Sequence, residues 1–303
     1  MRSLKALLQR EWLQHRFGWT LLVALPFGLA LLLATFAQVQ VEGDSPPPAE
    51  AMPVLVALAA TAGATVVLFA IAILTSFVIL SGLAWRDHGD RSIEFWLSLP
   101  VSHSAALGVP LATHLLLVPA AAIGIGWLGG QLLALFAVSR LAGVGGWVAL
   151  PWPELLAATL ALALRLLAGL PLAVLWVLPI VMVLALLGAW FKRWGWVVLL
   201  VGLGIASLFD QLLSGRRWLV DAVVELLRQG GKALLGAGGA GLRIEGGGDP
   251  IGALRLLPGM AWHDFVAALG ALASPWLLGG LLVAAGCFAL LVQWRHRGAG
   301  VNG

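Results

Sequence analysis

Few residues in this sequence could do chemistry, and most of them lie far apart. Six histidines are scattered along 303 residues. None forms an HExxH pair, in which two imidazoles one helical turn apart grip a metal. No Cys/His cluster stands at metal-ligand spacing, so no metal ligand is expected. The single cysteine, Cys287, cannot close an internal disulfide and leaves the redox compartment unread. His114 sits inside an apolar run, where it is either a proton carrier or a packed, hydrogen-bonded side chain. Residues 236–241, GAGGAG, match the dinucleotide pattern GxGxxG. That loop needs a strand before it and a helix after it, whereas here a helical pattern precedes and more glycine follows, so a flexible linker is the reading. Neither a GxxxxGK[ST] phosphate loop nor a GxSxG nucleophile turn occurs in the sequence.

Three features remain. Arg165 interrupts an apolar run, and a charge at bilayer depth is costly and often functional. If the lipid-embedded part is 169–190, Arg165 reaches the outer interface and its stem snorkels; a substrate or gate contact is the other reading. Asp210 reads the same way. Gly126 and Gly130 form GxxxG, which either lets two helices approach closely or is a chance match in a chain with 38 glycines. The richest segment is 86–103, RDHGDRSIEFWLSLPVSH. Asp90 can cap a helix, with Glu94 in its first turns. Ile93, Trp96 and Leu97 then share one face, and Pro100 stops the helix. Such a helix either docks a soluble partner through its apolar face or rests on the membrane surface.

The elements that would hold these residues are set by composition. The chain is 61% apolar and 11% charged, against about 45–50% and about 25% for a soluble domain. Six apolar runs stand out, at 18–38, 54–85, 104–138, 154–190, 194–213 and 275–294. A span needs about 20 apolar residues, so the expected fold is an all-α integral membrane protein of six transmembrane helices forming one domain over 1–303. Pro110, Pro119, Pro171 and Pro179 are expected kink sites. Tryptophans crowd the run ends, at positions 19, 85, 147, 152, 190, 194, 276 and 294, as the wet–apolar interface favours.

Orientation follows from Lys and Arg. With the N-terminus inside, the inner segments hold Arg2, Lys5, Arg10, Arg16, Arg86, Arg91, Lys192, Arg193, Arg295 and Arg297. The two short outer loops hold only Arg140. This is the positive-inside pattern, with both termini cytoplasmic and an inner-membrane location. The membrane thus explains the net charge of +4, and no nucleic-acid partner is expected. Residues 2–17 place Leu4, Leu7, Leu8, Trp12 and Leu13 on one face, with Lys5, Arg10 and Arg16 away from its centre. That predicts an amphipathic helix lying on the inner leaflet, with Leu8 and Trp12 among its membrane-interface residues. Residues 214–274 form the long outer segment, with a surface helix over 216–229 and a glycine-rich loop over 230–250.

The run DRSIEFWLSLPVS, residues 90–102, resembles the signature between the second and third spans of ABC-2 type transporter permeases. The matching positions are Asp90, Arg91, Glu94, Leu99, Pro100, Val101 and Ser102. The amphipathic N-terminus, six spans, long outer segment and short basic tail agree with that family's topology; the length and glycine content of 214–274 depart from a minimal member. The resemblance implies a permease subunit of an ATP-binding cassette exporter, without a catalytic residue or cofactor of its own. ATP and Mg would bind a separate cytoplasmic ATPase. The ATPase would dock on a coupling helix carrying Asp90, Arg91, Ile93, Glu94, Phe95, Trp96, Leu97 and Pro100, together with the N-terminal helix. A second permease copy or paralogue would complete the pore, with membrane lipids around it. The uncharged spans suggest a lipidic or peptide-like cargo. Two other readings compete: a non-transporting anchor or regulatory subunit, and a membrane-embedded enzyme. The enzyme would need paired acids, a Ser/His arrangement or metal ligands that the nearly uncharged runs do not offer.

Overall fold

A computed structural model describes residues 2–36, 51–83, 102–236 and 250–298. These form nine α-helices: α1 Arg2–Phe36, α2 Met52–Ser81, α3 His103–Ala112, α4 Val118–Val148, α5 Trp152–Phe191, α6 Gly195–Ser214, α7 Trp218–Leu235, α8 Pro250–Gly270 and α9 Pro275–Gly298. A single π turn, Thr113–Leu117, joins α3 to α4, and a 3-10 turn, Lys192–Trp194, joins α5 to α6. No strand occurs among the described residues. Six helical stretches are long and apolar enough to cross a membrane: α1, α2, α3–α4, α5, α6 and α9.

The π turn has a local cause. Pro119 lacks the N–H that would bond the Leu115 carbonyl, and its ring crowds that turn. Widening the turn just before it lets the Val118 N–H reach the Thr113 carbonyl instead. The helix therefore continues past both prolines to a break at Gly143, whose φ of 70° is open to glycine at little cost. The third span extends ten residues past the end of the apolar run, to Val148. In α5, Pro171 and Pro179 are carried inside one 40-residue helix.

α2 and α4 approach most closely at the GxxxG pair. A Cβ added to Gly126 would lie 2.7 Å from Thr65 Cα, and one added to Gly130 would lie 2.7 Å from Thr61 Cα. On the facing side, the hydroxyls of Thr61 and Thr65 donate to the Ala57 and Thr61 carbonyls, so they place no unsatisfied polar group in the seam. Small residues on both helices allow backbone-to-backbone contact, the favoured packing where lipid supplies no hydrophobic drive between helices.

α5 is the mast of the bundle and packs against α2, α4, α6, α7, α8 and α9. At about 1.5 Å per residue it is about 60 Å long, roughly twice the hydrocarbon core. One half meets the ends of α2, α3 and α9 through Leu80, Leu107, Leu111, Val181, Met182, Ala185 and Leu291. The other half meets α2, α4 and α8 through Val54, Ala57, Val138, Leu155, Ala158, Leu254 and Leu257. Between them, α7 and α8 stand against α5 around Trp176, with Leu226, Ala233 and Ala268 buried there.

Two expectations change. The glycine-rich loop expected over 230–250 begins later, because α7 continues to Leu235; residues 237–249, with most of GAGGAG, lie outside the described residues. The N-terminal segment is not a separate surface helix: 2–17 and 18–36 are one helix. α1 runs parallel to α3 and α4, with Glu11 beside His114 and Arg140 donating to the Thr35 carbonyl. Along it Lys5 and Arg16 are exposed. Leu7, Arg10 and Glu11 are buried, whereas Leu4, Leu8, Trp12 and Leu13 are exposed. Beside lipid, apolar side chains can face outward while polar ones must turn inward to find partners.

The α2–α4 seam generates a first prediction. Gly130→Ala forces backbone apart and should lower stability by about 1–3 kcal/mol, while Gly124→Ala, which points into open space, should be neutral or slightly stabilising. Thermal unfolding of both variants in detergent, followed by size-exclusion fluorescence, checks this.

Candidate functional site

Two buried polar centres organise the molecule. The first joins α1 to the π turn. Glu11 and His15 lie four residues apart on α1 and so share a face. His114 comes from the π turn, and its Nε2 is 3.3 Å from Glu11 Oε2. His15 Nε2 is 3.8 Å from the same oxygen. Glu11 and His114 are 1% and 0% exposed. Trp19 flanks both imidazoles, with ring centroids 5.9 Å away, and Trp12 tilts against Trp19. The hydrogen-bonded reading of His114 therefore holds, and the partner is a carboxylate. Chemically, this group can share a proton, make an ion pair or offer three donor atoms to a cation.

The second centre is Arg165. Its side chain is buried and bonded to backbone carbonyls. Nη1 donates to the Ala233 carbonyl at 2.6 Å, and Nη2 donates to the carbonyls of Lys232 at 3.2 Å and Asp264 at 3.4 Å. The side chain is buried because α7 and α8 cover this part of α5, so water is not the nearest acceptor. A guanidinium fits the C-terminal end of α7, where unpaired carbonyls carry partial negative charge. Beside it lies a cavity of about 350 Å³ lined by Trp176, Gln229, Lys232 and Asp264. The indole Nε1 of buried Trp176 has no hydrogen-bond partner among the described residues. A cation, an anion and two neutral polar groups thus meet at this cavity, and Arg165 itself is engaged with backbone.

The other predicted site residues divide by position. Leu8 and Trp12 lie on the outward face of α1. Asp90, Arg91, Ile93, Glu94, Phe95, Trp96, Leu97 and Pro100 lie outside the described residues. Asp210 accepts the Ser214 hydroxyl near the end of α6. Glu11 and Asp264 were missed by sequence reading. For Glu11 a signal existed: it is the one carboxylate in α1 and stands one turn before a histidine. Comparison with protein-family models, curated proteins and solved structures finds no match to the chain.

Two outcomes test these contacts. Arg165→Gln removes charged donors from buried carbonyls and should destabilise the protein by about 2–4 kcal/mol, with faster proteolytic cleavage within 214–274. At the surface of α7, Arg228 and then Gln229 donate to Glu225 and hold its carboxyl below the usual range. That depressed value makes the contribution full above the ordinary Glu pKa of about 4.3 and lost as pH falls through the lower folded value. Glu225→Gln should flatten this acid dependence of the melting temperature, by only a few tenths of a kcal/mol because the pair is partly exposed.

Proposed function

We propose that this chain is the membrane-spanning permease subunit of an ATP-driven exporter of the ABC-2 type. The observation that carries the reading is the segment DRSIEFWLSLPVS at 90–102, placed between the second and third of six candidate spans. On this reading a cytoplasmic ATPase holds ATP and Mg, docks on 86–103, and drives a cycle in which the permease moves a lipidic or peptide-like cargo across or out of the inner membrane. The ATPase shifts the permease between states by binding them with different affinity.

The helix arrangement supports it. The end of α2 and the start of α3, between which the coupling segment runs, pack with the end of α9 through Leu80, Leu83, Leu107 and Leu291. His103 and His296 meet edge to face there, with centroids 5.4 Å apart. α1 starts at the same end, since it runs parallel to α3. Lys5, Arg10, Arg16 and Arg295 gather at that end, which the positive-inside pattern assigns to the cytoplasm. α1 and α6 bury none of their most apolar windows within the chain, which leaves faces for lipid and for a second permease copy. A non-transporting anchor subunit would share this architecture and the docking segment; ATP-dependent transport of a labelled cargo in proteoliposomes separates the two.

A mild-detergent pull-down of the tagged chain from its host should recover a soluble ATPase bearing GxxxxGK[ST] near stoichiometry. Trp96→Ala should weaken that binding by about 2 kcal/mol, roughly thirtyfold, as an aromatic anchor would, and Glu94→Arg should abolish stimulated ATPase activity while the protein stays folded. Full partner binding and full stimulated activity in both variants would remove the docking assignment.

A further inference from the structure

We propose that Glu11, His15 and His114 form a binding site for a first-row divalent metal ion, Zn²⁺ being the best-matched, that ties α1 to the π turn of the third span. The inference rests on side-chain geometry and stands without the permease reading.

The donor atoms are already gathered. Glu11 Oε2, His15 Nε2 and His114 Nε2 all lie within 4.8 Å of one another. A tetrahedral zinc with bonds of about 2.0–2.1 Å holds its ligand atoms about 3.4 Å apart. The Glu11–His114 pair, at 3.3 Å, has that spacing, and the Glu11–His15 pair, at 3.8 Å, is within a small side-chain rotation of it. Two ligands one helical turn apart are a recurrent way to grip such an ion, and the third arrives from across the bundle.

Chemistry narrows the ion. Two imidazole nitrogens and one carboxylate suit zinc and its first-row neighbours, whereas Mg²⁺ and Ca²⁺ prefer all-oxygen sites. The surroundings favour a held ion over a hydrated one. Glu11 and His114 are essentially inaccessible, and Trp19 walls both rings. His15 alone is partly exposed, at 22%, and gives the route of entry. The Nδ1 of His114 is buried and has no hydrogen-bond partner among the described residues. The ring is therefore oriented from its Nε2 side, the side that faces the other two donors. Three protein ligands leave a fourth position for water or an exogenous donor, as in open zinc sites.

The sequence concealed this set because its ligands span about a hundred residues and no compact Cys/His motif marks it. The π turn is what delivers the third ligand, and π turns recur at functional sites.

The test uses the full chain purified in detergent, with its affinity tag removed and metal stripped by chelator. Zn²⁺ and Co²⁺ are then titrated separately. The expected result is one Zn²⁺ per chain by elemental analysis, and visible absorption of low-symmetry four-coordinate Co²⁺ that Zn²⁺ displaces. His114→Gln, Glu11→Gln and His15→Ala should each weaken binding by at least roughly a hundredfold, since even partners behind the ligands cost up to that much. Binding should fall as pH drops and the imidazoles protonate. If the buried variants fail to fold, His15→Ala, at the partly exposed position, decides alone. Absence of stoichiometric uptake by the wild-type chain, or uptake that all purified variants retain, would overturn the site and leave a Glu–His contact that only packs α1.

Discussion

The structure depends on how closely α2 and α4 can approach. In a bilayer, helices gain little by leaving lipid for one another, so association rests on contact distance and on polar groups that need partners. Gly126 and Gly130 bring the α4 backbone onto the backbone of Thr61 and Thr65. That pair then presents a fixed surface. Phe27 of α1 packs with Leu68, Ala72 and Ala122 on one side of it. Ile123 on another side packs with Phe69, Ala163, Leu166 and Leu170, which joins α5 to the same pair. Were the glycines larger, α4 would move outward and both neighbours would lose their register with α2.

The second constraint is that polar groups withdrawn from water must be met by protein. Several polar contacts among the described residues join different helices. Arg140 closes α1 onto α4 at the Thr35 carbonyl, Trp127 and Gln131 reach Thr159 across the α4–α5 seam, and Arg255 bonds Glu154 between α8 and α5. Arg165 gathers the ends of α7 and α8. These contacts are few, and each sits where apolar packing alone would not specify which turn of one helix faces which turn of another. In a molecule with so many interchangeable leucines, they set register.

Much of the fold was legible and much of the site was not, for one physical reason. Spans are encoded locally: a run such as 194–213 matches α6, Gly195–Ser214, within a residue because length and hydropathy decide it. GxxxG was open between a close approach and a chance match, and the structure shows the approach. What hydropathy cannot encode is which side of a span faces protein. In the 2–17 segment Leu4, Leu8, Trp12 and Leu13 are exposed with Lys5 and Arg16, but the pattern did not reveal that Arg10 and Glu11 turn inward. Arg165 was read against bulk lipid and water because nothing local reveals that α7 ends beside it. The π turn at Thr113–Leu117, whose cause lies in Pro119, was read only as a kink.

The placement of the two polar centres bears on how such a bundle could move. Arg165 and its carbonyls fasten α7 and α8 to the half of α5 remote from α9's end, whereas Glu11 and His114 fasten α1 to the third span near the end where α2 gives way to α3. α1 touches the remainder of the chain mainly along α2, α3 and α4. Relative displacement of α1 and the third span would therefore alter a buried contact among Glu11, His15 and His114. Movement of α1 against the third span thus changes the surroundings of buried Glu11, whereas movement of α7 or α8 against α5 changes those of Arg165.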